Sequence, residues 1–337
     1  MVHLPVWKEW PEGLARPHEL RGIYSRGYQG AYRSDEASED LADSFSHPTF
    51  RDVADDFNLW DYQENREASG GLYLPYLSTL SLCPSAYSTA QQTGDCVSFW
   101  ARNHSDSVRA NDILTRGESE SWRALGCTEA IYGWRESHRP GMSCATAVSF
   151  LTREGGMLLR KEYPEADLSS YNVDLAIRWG RRFLEVPHGI LEYAQQHQIK
   201  VATLVTDIES LAAAYRCGYS VGGCSGLGIS ARRDEHGVSE PSGSWAHAMW
   251  VGGYDERDET LDEYGEPLAL FINSWGAWNR GPSTILGTGI GIPPGSCWVR
   301  SSVVERRCLK GGGFYTMSSA EGWPAIQLPN LGATGEI

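Results

Sequence analysis

The sequence predicts an α+β protein of two subdomains, a helical half followed by a β-rich half, with a cleft along the seam between them. Three observations predict it. Apolar residues recur with helical spacing from about residue 96 to 185. Short β-branched and aromatic runs bounded by Gly, Pro and acidic turns take over after about 186. At 337 residues with 41% hydrophobic content, the chain is long enough for one large core or two moderate ones.

The elements follow in order. Residues 1–70 are rich in charge, Gly, Tyr and Ser with weak periodicity, and "REASGG" (66–71) reads as a turn into the main domain. In "CVSFWARNHSDSV", Cys96, Phe99, Trp100 and Asn103 fall at i, i+3, i+4 and i+7, one face of a helix. "SCATAVSFLTREGG" (143–156) is a second helix, with Ser143 as its cap and the Gly155–Gly156 pair as its stop. "IKVATLV" (199–205) reads as a strand, and "TDIESLAAAYRCG" as a helix whose Thr206 and Glu209 have capping-box spacing and whose Gly218 ends it. "HAMWVGGYD" (247–255), "LALFIN" (268–273) and "SCWVRSSVV" (296–304) read as successive strands. The stretch from 311 to 337 reads as loop.

Charge and composition exclude several roles. The net charge of −14 argues against nucleic acid, because gripping phosphates needs clustered Lys and Arg. The acidic runs "DEASEDLADSF" (35–45) and "RDVADD" (51–56) read as solvated faces. No apolar run approaches the roughly 18 residues that span a bilayer, so no membrane role is expected. The first residues show no secretory signal pattern, which leaves a cytoplasmic or virion-associated location as the expectation. The eight cysteines are then expected to be reduced, and without a CxxC pair no zinc site or other metal or cofactor is expected.

Cys96 is the candidate with chemistry. It follows Gly94-Asp95 and opens a helix, where the partial positive charge of the helix N-terminus favours a thiolate. A thiolate nucleophile needs a base and a group that orients the base. Of nine histidines, His247 stands where a Gly/Ser turn leads straight into an apolar strand. Asn273 ends another apolar strand, followed by Ser274, Trp275 and Gly276. An Asn oxygen can accept the second ring N–H of a histidine and fix its tautomer, and a Trp can cover that bond from water.

On "GDCVSF", "WAHAMWVGGYD" and "FINSWG", in that order, the chain resembles the papain-like cysteine peptidases, and it looks closest to a divergent group found in bacteria and tailed phages. "GMSCATAVSFLTREGGMLLRKEYPE" and "TDIESLAAAYRCGYSVGGC" are similar to the family's intermediate segments, so the resemblance covers roughly residues 75 to 308. His247 follows Cys96 by 151 positions (247 − 96), close to the roughly 130–150 of papain and the cathepsins.

The resemblance implies a papain-like fold with Cys96 as nucleophile, His247 as general base and acid, Asn273 as orienter and Trp275 as the shield of the His–Asn contact. The oxyanion hole is implied at the Cys96 backbone N–H and an upstream glutamine, Gln91 or Gln92, since the family's position six before the cysteine is Ala90 here. Asp95 and Val97 also depart from the family pattern. Matching "FWA" to the family's Cys-Trp-Ala would instead put Phe99 at the nucleophile position. Cys96 is preferred because it keeps Gly94 in the turn and Phe99 at the apolar position three residues on.

The expected organisation is an extension over 1–70, the peptidase domain over 71–310 and a tail over 311–337. The expected activity is cleavage of peptide or isopeptide bonds in a protein or peptide substrate through a thioester on Cys96. The alternative is a catalytically inactive structural or binding protein on the same fold, such as a phage virion component. Residues 1–70 are the expected docking segment for a virion or other protein assembly.

Overall fold

A computed structural model describes residues 48–60, 62–116, 125–135, 140–181, 185–311, 313–320, 323–326 and 328. The chain enters through helices α1 (Phe50–Asp56) and α2 (Glu64–Ser69), strand β1 (Leu72–Tyr73) and helix α3 (Pro75–Leu82). The long helix α4 (Cys96–Arg116) follows, then α5 (Glu129–Gly133) and α6 (Cys144–Ser149), which runs into a π-helical turn over Phe150–Glu154. A small ribbon, β2 (Glu162–Tyr163) with β3 (Ala166–Asp167), leads to α7 (Val173–Arg181) and α8 (His188–Gln195). The second half holds β4 (Val201–Leu204), α9 (Ile208–Arg216), β5 (Val221–Arg233), β6 (Ser239–Asp255) and α10 (Asp258–Tyr264). It closes with β7 (Leu268–Ile272), β8 (Cys297–Arg300), α11 (Ser301–Arg307) and β9 (Phe314–Ser318).

One antiparallel sheet orders the second half as β4-β9-β5-β6-β7-β8, with β1 beside β6. Its strands read as almost unbroken apolar runs because both faces are covered. Ala248, Trp250, Leu270, Ile272 and Trp298 lie in a core shared with α4 and α6, whereas Met249, Val251, Ala269, Phe271 and Val299 lie in a second core with α1, α9 and α11. This is the period-2 alternation of a strand, with each face given its own hydrophobic layer. The helical half and the sheet half meet where α4 crosses the sheet.

That crossing explains a glycine. A Cβ on Gly222 of β5 would stand 2.7 Å from Trp100 Nε1 and 2.9 Å from the Met249 carbonyl oxygen. The sheet therefore approaches α4 more closely than any side chain allows. Gly222→Ala is expected to destabilise the protein by about 1–3 kcal/mol through overpacking, read as a lower urea midpoint with an unchanged slope.

Most expected elements are found, with informative departures. α4 is buried on nearly every side from Cys96 to Val108, not on one face, because it is the central rod between sheet and helices. His104, on that rod, is therefore fully buried. Ser143 does cap α6, accepting from Thr146 N at 3.1 Å. The cap of α9 is Asp207, not Thr206: its carboxylate accepts from Ser210 N at 2.8 Å. A carboxylate at that position also favours the helix dipole. The run "SCWVRSSVV" turns from strand to helix at Ser301, where Glu266 accepts from Ser302 N at 2.6 Å and Ser301 Oγ at 3.0 Å.

Two departures concern the ends. Phe314–Ser318, expected as loop, is strand β9, inserted between β4 and β5. Phe50, Val53 and Ala54 share a core with Leu211, Phe271 and Trp323. Packing is thus continuous across the expected boundaries at 70 and 310. Most of the expected docking segment, residues 1–47, lies outside the described residues, as does the acidic run at 35–45. Among the described residues, no helix is long and apolar enough to cross a membrane, and no cluster of three His, Cys, Asp or Glu could hold a metal ion.

Candidate active site

The thiol of Cys96 lies at the first residue of α4, fully buried. Ser98 N and Phe99 N both donate to the Asp95 carbonyl, at 2.9 and 3.1 Å, which starts the helix and leaves the Cys96 N–H outside the helical ladder. The backbone N–H groups of Ala248, Val97 and Cys96 itself face the sulfur and favour its thiolate. Burial outweighs them, with Asp95 adding in the same direction, and the thiol is pushed up to about 12. The thiol is therefore protonated at neutral pH.

Ala248 is the residue after His247, so β6 carries the histidine to the end of α4. His247 Nε2 is 2.9 Å from Asn273 Oδ1. An amide oxygen only accepts, so Nε2 carries the proton and Nδ1 keeps its lone pair. That Nδ1 is buried and makes no hydrogen bond. Burial also lowers the imidazole to about 4, against a smaller opposing effect of Asn273, so the ring is neutral at neutral pH.

Trp275 covers the ring, 4.5 Å between centroids at 33°. Two further tryptophans complete the wall: Trp245 stands 4.8 Å from Trp275, and Trp278 stands 5.8 Å from it. Sequence reasoning missed both. The signal for Trp245 was present, since it precedes His247 by two positions on one strand and so shares its face.

The two glutamines separate. Gln91 is buried; its backbone N–H donates to the Ser274 carbonyl at 2.8 Å, its Oε1 accepts from Ser274 Oγ, and its Nε2 donates to the Thr93 carbonyl at 2.8 Å. The loop before Cys96 is thereby pinned to the residue after Asn273. Gln92 is exposed, and its backbone N–H meets Tyr171 Oη at 3.4 Å.

Asp95 does not cap α4 with its side chain. Its Oδ2 accepts from Tyr171 Oη at 2.7 Å. Tyr171 rests edge-on against Phe99, 5.3 Å between centroids, and its neighbours are anchored by a buried ion pair. Arg160 Nη1 meets both Glu129 carboxylate oxygens at 2.7 and 2.9 Å and donates to the Ser170 carbonyl at 3.2 Å, while Asn172 N donates to Glu129 at 2.8 Å.

One covalent bond departs from the expectation of reduced thiols. Cys144, at the start of α6, is joined to Cys224 of β5, with 5.9 Å between the Cα atoms. Cys224 pairs with Ala248 across β5 and β6, so this bond ties the two halves beside the candidate nucleophile. Spacing alone carried no sign of it, because eight cysteines allow many pairings and only the fold brings these two together. Cys83, Cys96, Cys127, Cys217, Cys297 and Cys308 are free thiols.

No family model and no curated protein matches the chain. Among solved structures, the chain is similar to the proform of Amb a 11, a cysteine protease and major ragweed pollen allergen, at 12% identity over 90% of this chain and 80% of that one, with a TM-score of 0.50. It is also similar to xylellain, a cysteine protease from Xylella fastidiosa, at 17% identity over 74% of this chain and 87% of that one, with a TM-score of 0.47. A third likeness is to the cysteine protease and lectin-like domains of Cwp84, a surface layer associated protein of Clostridium difficile, at 16% identity over 77% and 52% of the two chains and a TM-score of 0.45. At 12% identity and a TM-score of 0.50, the likeness to the Amb a 11 proform speaks for the fold alone, and that fold is the papain-like cysteine protease fold.

Proposed function

We propose, starting from that fold, that the protein is a papain-like cysteine hydrolase that cleaves peptide or isopeptide bonds through a thioester on Cys96. The observation that carries the reading is the His247–Asn273 hydrogen bond under Trp275, which leaves a buried, unspent Nδ1 lone pair on the residue next to the one whose N–H faces the thiol.

In this reading the thiol and imidazole begin neutral, and Nδ1 takes the Sγ proton as sulfur attacks the carbonyl carbon. The developing oxyanion is met by the backbone N–H of Cys96 and by the side-chain amide of Gln91. His247, now protonated, gives its proton to the leaving amine, and the thioester remains. Water, deprotonated by the same ring, then releases the acid. An amine in place of that water gives transamidation.

A limiting amount of an epoxide inactivator at neutral pH, followed by peptide mapping, tests the reading. Selective modification of Cys96 supports it. Reaction at Cys96 no faster than at the other five free thiols overturns it.

The complete burial of Cys96 and His247 favours a second reading: a catalytically inactive binding or structural protein, such as a virion component, that keeps the fold without turnover. The same labelling separates the two.

A further inference from the structure

Asp95 is the one charged side chain adjacent in sequence to Cys96, and it is fully buried. Its Oδ2 accepts from Tyr171 Oη, and its Oδ1 has no partner. Tyr171 Oη in turn accepts from the backbone N–H of Gln92, so hydrogen bonds run from the glutamine loop through a phenol to the carboxyl beside the nucleophile. Phe99, on the first turn of α4, and the Arg160–Glu129 pair hold that phenol in place.

We infer that Asp95, held by Tyr171, is a positioning residue that acts as a charge brake on Cys96: the neutral carboxyl permits thiolate formation and the ionised carboxylate opposes it. This rests on the reading of Cys96 as nucleophile.

The surroundings fix the sign. Burial favours the neutral carboxyl, and Glu129 on α5 pushes the same way. The Tyr171 hydroxyl, the backbone N–H of Asp95 and the Arg102 guanidinium on α4 favour the carboxylate. Tyr132 on α5 and Arg135 just beyond it also face the group. Burial wins, and the carboxyl is raised to about 7. The brake is therefore off below that pH and engages as pH rises through it. Ionised Asp95 then works against thiolate formation at the pH where a thiol would otherwise become more reactive.

The test compares the pH profile of Cys96 modification by the epoxide in the full-length protein, Asp95→Asn and Tyr171→Phe. The parent is expected to gain less reactivity above neutrality than an isolated thiol would. Asp95→Asn is expected to match the parent near about pH 5.5 and to exceed it by about tenfold near about pH 8.5, the factor one unit of thiol shift gives. Tyr171→Phe removes a bond that favours the carboxylate, so the onset of braking moves to higher pH, and this arm stands by itself if Asp95→Asn does not fold.

A purely structural role would lower all rates by one factor at every pH. Profiles of identical shape in the three proteins overturn this inference while leaving Cys96 as nucleophile. Absence of selective Cys96 labelling in all three at every pH overturns both.

Discussion

His247→Ala is expected to slow epoxide modification of Cys96, and any peptide hydrolysis, by on the order of 10²–10⁴-fold at neutral pH. The size follows from the state of the thiol. With its ionisation pushed up to about 12, Cys96 has almost no thiolate at neutral pH and depends on a proton acceptor in the step itself. In the proposed mechanism that acceptor is Nδ1 of His247, which is buried and makes no hydrogen bond. Asn273→Ala is expected to cost less, because it frees the ring to turn and lose its tautomer without removing the base. A thermal melt of each variant separates chemistry from folding, since the His247 ring also fills space under Trp275. Equal Cys96 modification rates in the parent and His247→Ala would remove the imidazole from the mechanism.

Replacing Cys144 and Cys224 together with alanine is expected to lower unfolding stability by about 4.5 kcal/mol under non-reducing conditions, the chain-entropy value for a loop of this length. The bond spans a separation of 80 residues, which includes α7, α8, β4 and α9. The unfolded chain without it has far more conformations, and its larger exposed surface should also raise the denaturant slope. The expected effect on the site is separate. The bond links the start of α6 to the strand paired with β6 at Ala248, so its loss lets the halves shift beside Cys96. Denaturant unfolding of the double variant checks the first part; a loss below about 1 kcal/mol would show that the cross-link constrains little.

The candidate site was legible because each of its main residues sits at the end of a strongly patterned element. Cys96 opens a long helix, His247 enters an apolar strand and Asn273 leaves one. Local pattern placed the three, and the fold brings His247 and Asn273 into a hydrogen bond, with the residue after His247 against the Cys96 thiol. What escaped depends on long-range contact. Tyr171 lies 76 residues from Asp95, and nothing in its loop announces that partner. The capping of α9 by Asp207 and the turn of "SCWVRSSVV" into a helix at Ser301 hinge on single side chains, where neighbouring Thr, Asp and Ser compete almost equally as caps. Phe314–Ser318 was hidden behind three consecutive glycines, which read as loop although the strand after them is wholly buried.

That late strand has a consequence for how the protein comes into being. β9 pairs with β4 through Val201–Ser318 and with β5 through Val221–Thr316, so the two earlier strands have no direct neighbour in each other. A ribosome adding about 5–20 residues per second needs several seconds to travel from the end of β5 at Arg233 to Phe314. During that interval the emerging chain exposes two open strand edges flanking a gap. The nascent polypeptide is therefore most open to aggregation, and most in need of a chaperone, in the interval before Phe314–Ser318 has been made.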